Sequence, residues 1–382
     1  MKNFSYQNPT RIEFGTGKEL NIGEYIAAYG VGKVLIVYGS ERIRQNGLFD
    51  KVAKSLTDNG ISFDALGGVQ SNPLLSKVYE GIALAKAKQV EAVLAVGGGS
   101  VLDSSKAIAA GAVYEGDVWD FFTRKAIANK ALKIFDIMTL AATGSEMNNF
   151  AVVTKDETKE KFSLAGPATY PTVSVINPEL QATVGNDYLA YSAADIFAHS
   201  LDMYLSATYL PEYMAGYVEN ILKTVMRTTE ILLADASNYE ARAEFAWAAT
   251  QALNFTTFCG IENNRYDTHF LEHTLSAEYN IAHGAGLSIL MPAWMKWQKQ
   301  FLPERFDRFA RVMFNVEGAD AGIEALKHWY SKIGTPVTLK EGKIPESDIP
   351  VLVDKLSVIA GMWGATELYT PDMIRTVLEN AK

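Results

Sequence analysis

Residues Val90 to Val96 run directly into Gly97-Gly98-Gly99-Ser100, and helical spacing resumes from about Val101 to Gly111. A short apolar, β-branched run closed by glycines reads as a buried strand. The same rhythm fills the first half of the chain. Lys33 to Tyr38 reads as a strand ending at Gly39-Ser40, and Leu48 to Asn59 as a helix stopped by Gly60. Ile61 to Leu66 reads as a strand, and Leu75 to Lys88 as a helix. Strands alternating with helices predict a parallel sheet covered on both faces.

After about residue 185 the pattern changes. Tyr188 to Ala207, Tyr213 to Asp235, Tyr239 to Phe258 and Glu304 to Val312 carry helical periodicity and few β-branched runs. With 382 residues the chain exceeds one ordinary core. The fold class expected is α/β plus all-α: a Rossmann-like parallel-sheet domain over 1–183 and a helical domain over 184–382. Turn residues at Asn177-Pro178 and Asn186-Asp187 bracket the boundary.

Gly97 to Ser100 sits where a helix N-terminus presents free N–H groups and a positive dipole end, which makes an anion site. Glycine lets a backbone approach a ligand closely or take positive φ. The loop matches neither Gly-x-Gly-x-x-Gly nor a P-loop. Three successive glycines exceed what a turn requires, so phosphate binding is favoured over a packing turn. A second polar loop, Thr139 to Glu146, follows the apolar run Ile134 to Met138. Taken alone it reads as a helix N-cap; its hydroxyls are candidates to bond a nicotinamide or ribose.

Four of the five histidines fall into two groups in the helical half. Asp195 and His199 are four apart, on one helix face. His269 and His273 are also four apart, and His283 lies fourteen beyond His269. In one continuous helix that would be about 21 Å, too far to share an ion. Asn280 and Gly284-Ala285-Gly286 supply a break that folds His283 back. Asp195, His199 and two of the three later histidines then give a mixed nitrogen and oxygen set. It suits Zn²⁺ or Fe²⁺ and makes a poor Mg²⁺ or Ca²⁺ site. Spacing leaves open which two. His328 stands apart and reads as a helix-face residue.

The net charge of -9, with no Lys/Arg block, argues against nucleic acid or an anionic membrane as partner. No apolar run approaches the roughly 20 residues that span a bilayer. The lone Cys259 excludes an intrachain disulfide and reads as a buried small residue. The N-terminal residues do not read as a secretory signal. These features set the expectation of a cytoplasmic protein.

Several segments together resemble the iron-dependent (group III) alcohol dehydrogenases. Gly97 to Lys106 is similar to that family's cofactor loop, and Thr143-Gly144-Ser145-Glu146 to its second loop. Ala194 to His199 is similar to its first metal segment. His269 to His273, continuing to Ala282 to Gly286, is similar to its second. The likeness is strongest to the branch of butanol dehydrogenases and NADPH-dependent aldehyde reductases. It implies an α/β domain and a helical domain with the active site between them, and a homodimer. It implies metal ligands Asp195, His199, His269 and His283, with His273 beside the metal as a proton relay. The cofactor residues expected, from the residues and the resemblance together, are Gly39, Ser40, Arg42, Gly97, Gly98, Gly99, Ser100, Asp103, Thr139, Thr143, Ser145 and Lys161. Where relatives carry Gly-Gly-Gly-Ser, this chain has Gly39-Ser40-Glu41-Arg42. Ser40 and Arg42 favour a 2′-phosphate, while Glu41 suits a ribose 2′-hydroxyl. The reading favours NADP(H) over NAD(H).

The activity expected is hydride transfer between NAD(P)(H) and an alcohol or aldehyde, with Fe²⁺ or Zn²⁺ polarising the substrate oxygen. The alternatives are a glycerol dehydrogenase, a dehydroquinate-synthase-like lyase, or a non-catalytic nucleotide- or metal-binding module. The lyase requires basic residues for a substrate anion, and the segments around the ligands hold few.

Overall fold

A computed structural model describes all residues, Met1 to Lys382. The chain forms two compact units. One comprises residues 7–184 and 236–255; the other comprises 1–6, 185–235 and 256–382.

The first unit is built on a six-stranded parallel sheet: β1 (Arg11–Phe14), β2 (Lys33–Tyr38), β3 (Ser62–Leu66), β4 (Ala92–Gly97), β5 (Lys133–Met138) and, later in the chain, β8 (Val173–Ile176). Their order is β1-β8-β5-β4-β2-β3. The sheet grows from β2 to β3 on one side and returns to β4 on the other. The loops leaving β2 and β4 therefore open at the point where strand order reverses, the crevice in which such sheets bind ligands. β4 is buried along its whole length because both its neighbours and both faces are covered. Helices α1 (Ile22–Ala27), α2 (Arg42–Gln45), α3 (Leu48–Asp58), α4 (Leu75–Lys88), α5 (Gly99–Ala112) and α6 (Trp119–Phe122) fill the connections.

The bounds expected for β2 and α4 are those observed. The periodicity did not reveal β1, β8 or the antiparallel hairpin of β6 (Phe150–Lys155) and β7 (Glu160–Ala165). β1 and β8 have four residues each, too few to show a period, and β1 is the partly exposed sheet edge.

The second unit holds helices α7 (Asn186–Ser206), α8 (Glu212–Ala234), α10 (Asp267–Tyr279) and α11 (His283–Gln298), followed by four more helices. Between α8 and α10, α9 (Tyr239–Ala252) belongs to the sheet unit. Its Trp247 meets Phe14 of β1 edge-on, centroids 6.0 Å apart, and its Thr250 hydroxyl donates to Glu146 Oε1 at 2.6 Å. The run expected as one helix to Phe258 stops at Ala252, and Phe255 takes φ 70. No helix is long and apolar enough to cross a membrane.

Leu94, fully buried at the centre of β4, sets a test of this core. Leu94→Ala leaves a cavity under two neighbouring strands and lowers stability by about 2–5 kcal/mol. Urea unfolding followed by circular dichroism measures it, and a loss below about 1 kcal/mol contradicts the central placement.

Candidate functional site: a buried histidine–carboxylate cluster and the glycine loops

Helix α7 brings Asp195 and His199 to one face, one turn apart. α10 carries His269 and ends at Asn280, whose φ of 51 turns the chain so that α11 begins on His283. The helices are drawn together by glycines. A Cβ on Gly284 would lie 1.9 Å from the Tyr191 carbonyl of α7, and one on Gly286 would lie 2.6 Å from the Glu272 side chain of α10. Only glycine permits both approaches.

The result is a convergence on one oxygen. His199 Nε2, His269 Nε2 and His283 Nε2 stand 3.5, 3.8 and 3.7 Å from Asp195 Oδ1. These spacings are too long for good hydrogen bonds. Asp195 Oδ1 and His269 Nε2 are buried with no hydrogen-bond partner. Orphaned polar atoms facing one point are the arrangement a cation satisfies. Three imidazole nitrogens and a carboxylate suit a borderline-soft divalent ion.

Two carboxylates behind the histidines were not anticipated. Asp202 Oδ2 lies 2.8 Å from His269 Nδ1, and Asp202 also accepts from the Thr268 hydroxyl at 2.7 Å and amide at 3.1 Å. Glu272 bonds His283 Nδ1. Each fixes its ring so that Nε2 faces Asp195. No local spacing signals them: Asp202 orients His269, 67 residues on, and Glu272 orients His283, 11 residues on. His273 groups with Glu272 and His283, and its ring centroid is 5.6 Å from that of His283. His328 is exposed on a separate helix, Ala319–Lys332. Cys259 is partly buried, and that burial raises its thiol pKa.

The electrostatics follow from burial and proximity. Burial alone would raise Asp195, but His199, His269 and His283 outweigh it and hold its carboxyl well below the usual range. Burial pushes His199 down to about 3 against the pull of Asp195. Burial opposes charge on His269 too, yet Asp195 and Asp202 together push it up to about 9.

In the sheet unit, Gly97 ends β4, Gly98 links the two elements and Gly99 opens α5, which no side chain caps. None of the three takes positive φ. They are glycine for close packing: a Cβ on Gly99 would lie 2.5 Å from Thr143 Oγ1, and one on Gly98 would lie 3.0 Å from Leu140. The Thr139 amide donates to the Gly97 carbonyl at 2.9 Å. The two polar loops therefore touch, and Ser100 sits in the first turn of α5. Asp103 Oδ1 accepts from the Ser145 hydroxyl at 2.7 Å. Lys161 Nζ donates to Asn72 Oδ1 at 2.9 Å. At the end of β2, a Cβ on Gly39 would lie 3.2 Å from the Val69 carbonyl. Ser40 Oγ faces the Arg42 amide at 3.4 Å, and the Arg42 guanidinium donates to the Thr183 carbonyl. Tyr38 donates to Glu41 at 3.0 Å and accepts from Arg44 at 3.0 Å.

A doubly wound sheet with glycine at its switch point, and a three-imidazole, one-carboxylate cluster in a helical unit, are the equipment of a metal-dependent dehydrogenase. The comparisons with known proteins agree. The profile of iron-containing alcohol dehydrogenase matches residues 9–178, and that of the Fe-containing alcohol dehydrogenase family, C-terminal, matches residues 189–381. The chain belongs to the iron-containing alcohol dehydrogenase family. The probable NADH-dependent butanol dehydrogenase 1 of Bacillus subtilis is 36% identical, over 99% of both chains. The NADPH-dependent aldehyde reductase of Escherichia coli is 31% identical over the whole of both. The crystal structure of NADH-dependent butanol dehydrogenase A from Thermotoga maritima superposes with a TM-score of 0.97 at 45% identity, covering 100% of this chain and 99% of that one. The protein is thus an NAD(P)-dependent oxidoreductase of alcohols and aldehydes.

The His269 pKa yields a pH prediction for the metal-free protein. Its folded value of about 9 exceeds the ordinary 6.5. The resulting stability is fully present below pH 6.5 and is lost as pH rises toward 9. In chelator, Tm falls between pH 6.5 and 8, and the fall is smaller in Asp202→Asn. A wild-type Tm that rises across this window contradicts the assignment.

Proposed function

We propose that Asp195, His199, His269 and His283 hold one divalent cation, with which the enzyme interconverts primary alcohols and aldehydes using NAD(H). The observation that supports the ligand set is the meeting of three Nε2 atoms around the unpartnered Asp195 Oδ1. When bound, the metal supplies a Lewis acid for the substrate oxygen and the dinucleotide supplies or accepts the hydride. An ion that accepts a fifth ligand would bind that oxygen beside the four protein donors. Iron is the metal in the family's name, and Fe²⁺ and Zn²⁺ both suit these donors.

The chain's own groups do the positioning. Asp202 and Glu272 hold the two imidazoles in the ligating tautomer. His273, partly exposed, exchanges the substrate proton with solvent. Gly97 to Ser100 and the uncapped start of α5 take the pyrophosphate, with Thr139, Thr143 and Lys161 as further contacts.

Two considerations support NAD(H) over NADP(H). Arg42, which would grip a 2′-phosphate, is directed to the Thr183 carbonyl, while Glu41 stands exposed at the end of β2. A carboxylate there accepts a ribose 2′-hydroxyl and repels a phosphate. Relatives from Bacillus subtilis and Clostridium acetobutylicum at 36–38% identity are named NADH-dependent butanol dehydrogenases. The same names support a short-chain alcohol such as butanol as substrate.

The test is one assay series on apo protein reloaded with Fe²⁺ or Zn²⁺ and given butanal. NADH is oxidised with a kcat/KM at least about tenfold above that of NADPH, a gap of about 1.4 kcal/mol. Equal or higher kcat/KM with NADPH overturns the cofactor assignment. His269→Ala loses both bound metal and turnover; full metal-dependent turnover in that variant overturns the ligand set. His273→Ala keeps its metal but turns over more slowly or with a shifted pH profile. Loss of its metal contradicts the relay role.

A further inference from the structure

Lys106 is a lysine with no exposed surface, two turns into α5. Its ammonium donates to Ser145 Oγ at 2.7 Å, the Phe150 carbonyl at 2.8 Å and the Asn148 carbonyl at 2.9 Å, with Asn148 Oδ1 at 3.2 Å. An ammonium has three protons, so every one is used. A buried charge is tolerated only when it is satisfied in this way, and an apolar side chain would serve simple packing at less cost.

The acceptors all belong to the second polar loop and the start of the hairpin. Asn148 donates onward to the Thr143 carbonyl at 3.2 Å and accepts from the Phe150 amide at 2.9 Å. The Thr143 side chain rests against Gly99, and its hydroxyl accepts from the Ser145 amide at 3.2 Å. A ring is closed: α5 through Lys106 to Asn148, to Thr143, to Gly99 and back into α5. Ser145 gives its single hydroxyl proton to Asp103 Oδ1 at 2.7 Å, and Asp103 Oδ2 accepts from the Val152 amide at 2.9 Å.

We propose that Lys106 is a positioning residue for the dinucleotide. Through Asn148 and Ser145 it holds Thr143 at a fixed height against the glycine loop. Asp103 and Ser145 are members of this clamp and act on the dinucleotide through it, not by touching it. The inference rests on the reading of the two loops as the dinucleotide site. Ser145 supports the distinction, because its side chain is buried and its one proton is given to Asp103.

The experiment titrates NADH into full-length Lys106→Met, Ser145→Ala and the double variant, with Thr143→Ala and Gly98→Ala as controls. Measurements are made below the onset of each thermal transition. Lys106→Met weakens NADH binding about tenfold or more and raises KM for NADH, while kcat at saturating NADH stays within about threefold. Simple loss of stability would lower Tm without moving the KM of the folded molecules. Bound iron stays at the wild-type ratio. The double variant binds no more weakly than Lys106→Met alone, because both changes break one clamp. A folded Lys106→Met with wild-type NADH affinity overturns the proposal, and so do effects of Ser145→Ala and Lys106→Met that multiply. If Lys106→Met does not fold, the cycle of Ser145→Ala with Asn148→Ala carries the same decision. Unchanged affinity in both controls sinks the dinucleotide site itself. Loss in Thr143→Ala with wild-type affinity in Lys106→Met and Ser145→Ala sinks the clamp alone.

Discussion

A carboxylate buried as deeply as Asp195 needs donors or cations around it, and Asp195 Oδ1 has no hydrogen-bond donor. What surrounds it is three imidazole nitrogens, each slightly too distant to bond. The helical unit is arranged to produce that situation. Asn280 reverses the chain between α10 and α11. Gly284 and Gly286 let α11 lie against its neighbours, and Asp202 and Glu272 orient two of the rings. The negative charge of Asp202 is itself buried, so the cluster forms a chain of carboxylate, imidazole and carboxylate. A divalent ion at its centre, as proposed, would take over the charge balance that protonated His269 supplies to Asp195 and Asp202 when no ion is bound.

The sheet unit, whose two loops are proposed to take the dinucleotide, answers a different requirement. A dinucleotide needs two loops held at a fixed separation, and loops are ordinarily the mobile part of a fold. Here the glycines admit Leu140 and Thr143 to van der Waals contact with the backbone after β4, and Lys106 fastens the second loop from beneath. Glycine thus acts by absence of a side chain and lysine by an excess of donors, and together they make a rigid site from irregular backbone.

The α/β rhythm was legible because β2 and β4 are apolar runs closed by glycine and α4 carries its helical spacing over fourteen residues. The i, i+4 spacing placed Asp195 and His199 on one face of α7, and the Asn280 break brought His283 to the start of α11. Spacing did not choose among His269, His273 and His283; that choice came from the family resemblance. Asp202 and Glu272 escaped notice because their partners lie 67 and 11 residues away, a tertiary relationship no local period encodes. β1 and β8 were too short to show alternation. α9 has an unexceptional helical sequence, so its return to the sheet unit was invisible until Trp247 and Thr250 were seen against Phe14 and Glu146.

The account stands on one cation held by four side chains. Anomalous diffraction at the iron edge from crystals of iron-loaded enzyme locates it directly. The account predicts a single strong peak per chain, about 2.0–2.2 Å from Asp195 Oδ1 and from the Nε2 atoms of His199, His269 and His283. A peak bound by His273 in place of His269 or His283, or no peak at Asp195 in enzyme that turns over, would contradict it.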